Sequence, residues 1–174
     1  INEFRRGGNA FDLPAHEADI AEQIGHEINS GNIGFTWFDA GGKQKVNAFV
    51  SAQHIHRNSY YGVDKDLKAY GNTTNTTAIG GLQYIRNFGK LWFLPAELTS
   101  GIEYQTDRIT DRMPGYKRNF SQHTGIGGFF VQNEWKNKKL NILLGGRVDK
   151  HNLLKRAVLS PRISFKYNLT AQLG

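Results

Sequence analysis

The sequence predicts an all-β protein, an antiparallel meander of about seven long strands forming part of a transmembrane β-barrel. Three observations carry this reading. Apolar residues recur at every second position, the period of a strand. Short polar turns alternate with long polar connections, as in barrels with tight hairpins at one end and extended ones at the other. No run approaches the ~18 apolar residues of a membrane helix, which leaves membrane strands open. Composition agrees: aromatics make up 12% and there are 20 Gly, unlike disorder, which is poor in aromatics. With 0 Cys, a disulfide framework and thiolate-ligated metal sites are excluded.

The first expected strand, 18–38, ends with Ile33, Phe35 and Trp37 on one face, beside the turn Asp39-Ala40-Gly41-Gly42-Lys43. Upstream, Ile20, Ile24 and Ile28 lie on the opposite parity. Either a bulge near Ser30-Gly31 flips the face, or that half projects beyond the membrane. Their spacing also fits a helix, but Gly25 and the lack of a strong cap favour a strand. In 44–57, Val46, Ala48, Val50 and Ala52 alternate with Asn47, Phe49, Ser51 and Gln53. A third strand, 75–87, leads to a turn at Asn87-Phe88-Gly89.

The clearest segment is 90–106. Trp92, Leu94, Ala96, Leu98, Ser100, Ile102 and Tyr104 share one face. From Trp92 to Tyr104 the chain covers about 40 Å at ~3.3 Å per residue, or about 30 Å vertically at ~40° tilt. That matches a bilayer's apolar thickness with an aromatic at each edge. Pro95 falls on the polar parity, where it costs a ladder bond or marks a bulge.

Three strands complete the series. In 122–136, Phe129, Val131 and Trp135 alternate with Phe130, Gln132 and Glu134. In 139–149, Leu140, Ile142, Leu144 and Val148 share a face, and Leu143 interrupts the polar one. In 157–169, Ala157, Leu159, Pro161, Ile163, Phe165 and Tyr167 oppose Ser160, Arg162, Ser164, Lys166 and Asn168. Trp92, Leu94, Leu98, Tyr104, Trp135 and Phe165 are therefore expected to face lipid. The short turn Lys136-Asn137-Lys138 contrasts with long expected loops at 58–74 and 107–121 and a medium one at 150–156. Seven strands cannot close a large barrel, and an open edge at membrane depth leaves backbone groups unpaired. That count, with the start at Ile1 and the end at Gly174, makes the expected organisation 1–174 a partial barrel domain, cut from a longer chain. In isolation it would hide its edges another way, for example by dimerising.

Three motifs in order carry a family resemblance. Gly128-Phe129-Phe130-Val131-Gln132-Asn133-Glu134-Trp135-Lys136, Leu143-Leu144-Gly145-Gly146-Arg147-Val148-Asp149-Lys150-His151-Asn152 and Ser160-Pro161-Arg162-Ile163-Ser164-Phe165-Lys166-Tyr167-Asn168 resemble consecutive strands of TonB-dependent outer-membrane receptors. Ser59-Tyr60-Tyr61-Gly62, Gly81-Leu82-Gln83-Tyr84 and the stretch from Pro95 to Gly101 resemble the vitamin B12, haem and siderophore branch. The resemblance spans 17–169. It implies a bacterial outer-membrane protein with a barrel of about 22 strands around an N-terminal plug domain. It also implies uptake of a scarce large ligand driven through the inner-membrane TonB complex, with vitamin B12 first and haem or an iron-siderophore next. This sequence shows no plug, no energy-coupling box and no aromatic C-terminal residue, ending Gln172-Leu173-Gly174.

Candidate site residues follow from parity and loop composition. Glu97, Glu103, Glu134, Arg147 and Arg162 fall on polar parities, and Glu134, Arg147 and Arg162 on adjacent strands suit a charged ladder. In the resemblance, such residues face the plug. Solvation of the lumen, which every barrel needs, explains them equally. Tyr60, Tyr61, Tyr70 and Tyr116, with Arg108, Arg112, Lys117 and Arg118, cluster in the two long expected loops. Aromatics with positive charge suit a large planar or anionic ligand, and ordinary loop composition is the alternative. His54 and His56 share a strand face at a spacing that suits metal or haem, or simply the membrane interface. His151 is a loop residue beside Asp149. Asp64 and Asp66 are weak calcium candidates, lacking the dense oxygen set of an EF-hand, and no cofactor is otherwise expected.

The net charge is +7, but the basic residues are scattered, so no nucleic-acid partner is expected. No nucleophile elbow, HExxH or P-loop is present. Glu97 and Glu103 are about 20 Å apart along the strand, too far for a catalytic carboxylate pair. The chain is therefore not expected to be an enzyme. A soluble β-sandwich binding module is the alternative class.

Overall fold

The computed structural model describes residues 2–6, 14–17 and 20–168. Its strands are β1 (Asn2–Arg6), β2 (Ile20–Phe38), β3 (Gln44–Val63), β4 (Tyr70–Leu91), β5 (Leu94–Met113), β6 (Arg118–Lys136), β7 (Leu140–His151) and β8 (Val158–Tyr167). They form one sheet in sequence order, β1 to β8, an antiparallel meander. The seven expected strands are all present. A sandwich needs two facing sheets, and the described residues form one. Positions 18, 19 and 169 and the terminal Gln172-Leu173-Gly174 lie outside the described residues.

The structure corrects the expectation in three places and bears out the strand reading in a fourth. A further short strand, β1, pairs with β2 from Asn2↔His26 to Arg6↔Glu22; its charged sequence carries no apolar alternation. The strand preferred over a helix for Ile20, Ile24 and Ile28 is present, since β2 is strand throughout. The expected long loops are mostly ladder, leaving only 64–69 and 114–117 as connections. Polar residues extend these hairpins because backbone pairing needs no apolar side chains. Lastly, Asn87-Phe88-Gly89 is strand, and the hairpin turns at Trp92 and Phe93.

That turn is built on aromatics rather than on turn-forming residues. Trp92 adopts a left-handed backbone, φ 62°, uncommon for a bulky residue. Its ring stacks on Trp135 with centroids 5.3 Å apart, and Phe93 stacks on Trp135 at 6.0 Å. Trp135 Nε1 donates to Leu91 O at 3.1 Å. Trp92 sits in the turn and is 76% exposed, whereas Trp135 is covered and only 5% exposed.

The chain divides into two compact units. The first comprises Ile1–Gly31, Ala52–Ala78 and Thr106–Thr124; the second comprises Asn32–Ser51, Ile79–Gln105 and Gly125–Gly174. In the second unit the register sorts side chains into two faces. Rows Phe129–Val148–Leu159, Asn133–Leu144–Ile163 and Trp135–Ile142–Phe165 share one face. Rows Phe130–Arg147–Ser160 and Glu134–Leu143–Ser164 share the other. Apart from Asn133 and Trp135, which are buried, the first face is apolar and uncovered: Ile163 is 77% exposed, and Leu159, Phe165, Ile33, Phe35, Ile102 and Tyr104 are exposed too. Leu94 and Leu98 are half-buried. Apolar surface on this scale is unusual for a protein facing water.

Glycines let large rings lie flat on the other face. A Cβ at Gly101 would come within 2.6 Å of the Phe130 ring, and one at Gly81 within 2.6 Å of Phe49. In the first unit, Ala15, Ala21, Tyr60 and Ala69 form a small buried cluster. Tyr60 is 1% exposed and packs on Tyr70 at 4.7 Å. Gly62 leaves the space the Tyr60 ring fills.

Candidate functional site

Two polar arrangements stand out, one in each unit. The first unit holds Asp111, 3% exposed, on β5. Its carboxylate pairs with Arg118 of β6, accepts from Thr73 Oγ1 of β4, and lies 3.8 Å from Arg57 Nη2 of β3. Arg57 Nη2 also donates to Thr73 Oγ1 at 2.9 Å, and Arg118 Nη2 donates to Met113 Sδ at 2.7 Å. Four strands thus meet at one acid. Burial pushes the Asp111 pKa up, but the Thr73 hydrogen bond and the two guanidinium groups outweigh it and hold it below the usual carboxylate value. Beside this cluster Arg57, Tyr61, Met113, Tyr116 and Arg118 line a cleft of about 350 Å³. Tyr116 closes one side, donating from its hydroxyl to Tyr61 O at 3.1 Å.

The eight aromatic and basic candidates do not form one site. Tyr61, Tyr116 and Arg118 join the cleft. Tyr60 is a strand residue buried against Tyr70, not a loop residue, and Tyr70 meets His16 Nδ1 at 3.0 Å. Arg108 and Arg112 are exposed and share the β5 parity of Thr106 and Thr110, which bond His123 and Ser121 of β6. Asp111 lies on the opposite parity. Reading the polar segments as loops hid this division, because only a strand sorts neighbours by parity. Asp111 was missed for the same reason, whereas Arg57 closed the expected strand 44–57 without being singled out. Alternation of Arg57, Ser59 and Tyr61 was the available signal.

In the second unit, the expected ladder of Glu134, Arg147 and Arg162 is replaced by different partnerships. Arg147 Nη1 reaches Glu103 Oε2 at 2.6 Å, and its Nε lies 2.8 Å from Asp149 Oδ1. Its guanidinium also lies 5.9 Å from the Phe130 ring centre. Glu134 accepts from Asn141 Nδ2. Arg162 lies one row away, opposite Gly145, and Glu97 is half-buried on β5. Arg147 and Arg162 both line an open depression of about 450 Å³.

The metal candidates are engaged locally. His54 Nδ1 meets Thr76 Oγ1 at 2.8 Å, and His56 Nε2 accepts from Asn72 Nδ2 at 3.2 Å. His151 Nδ1 accepts from Leu153 N at 3.0 Å. Asp66 Oδ1 accepts from Lys68 N at 2.9 Å, and Asp64 has a left-handed backbone, φ 54°. Among the described residues no three His, Asp or Glu side chains gather as a metal-binding group.

A meander with an exposed apolar face on one side and a hydrogen-bonded, ion-paired face on the other defines the wall of a membrane β-barrel. The family described as "TonB dependent receptor-like, beta-barrel" matches residues 5–173, and the chain belongs to this family, whose members are receptors of the bacterial outer membrane rather than enzymes. Neither the curated proteins nor the solved structures contain a match.

Proposed function

We propose that this chain is a wall segment of an outer-membrane receptor that takes up a scarce large ligand with energy coupled from the inner-membrane TonB complex. The observation that carries the reading is the apolar face of the second unit, exposed along β8 at Leu159, Ile163 and Phe165 while Ser160, Arg162 and Ser164 alternate with them. Water would penalise that face, and hydrocarbon would not. The other face then lines the lumen, and Glu97, Glu134, Arg147 and Arg162 face a plug domain supplied by the rest of the protein. Vitamin B12 is the first ligand to test on the sequence resemblance, then haem and iron chelates. Alone, the chain would pair its β8 edge with a second copy, and a stable monomer by light scattering would reject that pairing.

This chain has 0 Cys, so single-cysteine labelling in a full-length protein whose other cysteines are replaced by serine gives a clean test. Cysteines placed one at a time from Leu159 to Phe165 in the full-length protein, embedded in lipid, should carry spin labels that alternate between lipid and water contact. A uniform pattern would reject the barrel-wall reading. Growth on each candidate ligand, with and without the gene, then identifies the cargo.

A further inference from the structure

We propose that the cleft between Arg57 and Arg118 binds an oxyanion, a carboxylate or a phosphate, carried by a ligand with a flat ring beside that group. This deepens the receptor reading and rests on it. The cluster holds two guanidinium groups against one carboxylate, so one positive charge is left over at the cleft. The other β5 carboxylate on this parity within the first unit, Asp107, is engaged by Thr77 and Asn75.

The arginines are held before any ligand arrives. Asp111 and Thr73 fix them from the sheet side, and Met113 Sδ takes an N–H of Arg118. Arg57 Nε is buried and has no hydrogen-bond partner. A buried donor without an acceptor is costly, so the Arg57 guanidinium is left under-satisfied beside the cleft that it lines. A planar guanidinium pair matches the oxygens of carboxylate or phosphate. Tyr61, Tyr116 and the Met113 thioether supply the remaining lining, suited to the face of a ring. A volume of about 350 Å³ accommodates one such group with its ring, not a whole macrocycle, so the cleft reads one corner of a larger ligand.

The test uses the full-length protein in detergent micelles, titrated by calorimetry with sodium benzoate and, separately, inorganic phosphate. Benzoate should bind more tightly than phosphate. Arg57→Gln should weaken both by roughly tenfold, the scale of a lost hydrogen bond to a charged group. Tyr116→Ala leaves the ion network in place and should weaken benzoate while leaving phosphate unchanged. Binding of neither probe, or unchanged affinity for both in Arg57→Gln, would overturn the proposal. So would a Tyr116→Ala protein that binds benzoate as the parent does. Outer-membrane assembly, followed by heat-modifiable gel migration, is scored separately. An assembled protein that ignores both probes counts against the cleft alone, whereas a parent that never assembles counts against the receptor reading.

Discussion

Arg147 Nη1 lies 2.6 Å from Glu103 Oε2, which ties β7 to β5 across the intervening β6. Gly128 of β6 makes the crossing feasible. A Cβ there would overlap Asp149 and the Arg147 guanidinium. One missing methyl group therefore permits an ion pair between strands that do not touch in the ladder.

Gly128→Val should displace Arg147 and break its contact with Glu103. Overpacking of this kind costs about 1–3 kcal/mol. Urea unfolding of the full-length protein in lipid vesicles measures it. In an Arg147→Leu background the loss should shrink, since the clashing guanidinium is gone.

Leu98→Lys places a charge on the apolar parity near the middle of β5. It should destabilise the membrane-embedded protein by about 2–4 kcal/mol. Gln132→Lys, on the opposite parity, should change little. Equal effects in the same vesicle unfolding assay would remove the assigned lipid face.

Trp135 is the keystone of the β4–β5 turn. Trp135→Ala loses two stacked rings and the bond to Leu91 O, and should cost about 3–5 kcal/mol. At Trp92, φ 62° separates two substitutions. Trp92→Gly should be more stable than Trp92→Ala, because glycine accepts the left-handed backbone and alanine does not. Chemical denaturation followed by circular dichroism gives the ranking.

Asp111 sets a pH dependence. Its folded pKa is depressed, so its contribution is complete above the unfolded carboxylate value of about 3.9. It is lost as pH falls from there through the lower folded value. Hydrogen exchange in β5 and β6 near residue 111 should therefore accelerate below about pH 4 in the parent. In Asp111→Asn it should already be faster at neutral pH and respond less to acid.

The strands and the parity of β6 to β8 were legible because period two is explicit in Phe129, Val131, Ile142, Leu144, Leu159 and Ile163. The turn at Trp92 was not, because Asn87-Phe88-Gly89 carries better turn chemistry and the stack on Trp135 comes from another strand. The Asp111 cluster was hidden for a related reason. Its members are polar, spread over β3, β4, β5 and β6, and gather only through the register. Tyr60 and Tyr116 look alike in the sequence, yet one fills a buried cluster and the other edges a cleft. The distinction depends on Gly62, Ala15 and Ala69, residues that carry no chemistry of their own.

The β3–β4 and β5–β6 hairpins stay laddered almost to their tips, where Gly115 packs against the Lys68 backbone with no room for a side chain. A disordered loop that grips a ligand must give up chain freedom at about 1–2 kcal/mol per residue fixed. Here that ordering is completed during folding, before any encounter. A ligand bound at these hairpins would meet a preset mould, and its capture would draw on its contacts without first freezing a mobile chain.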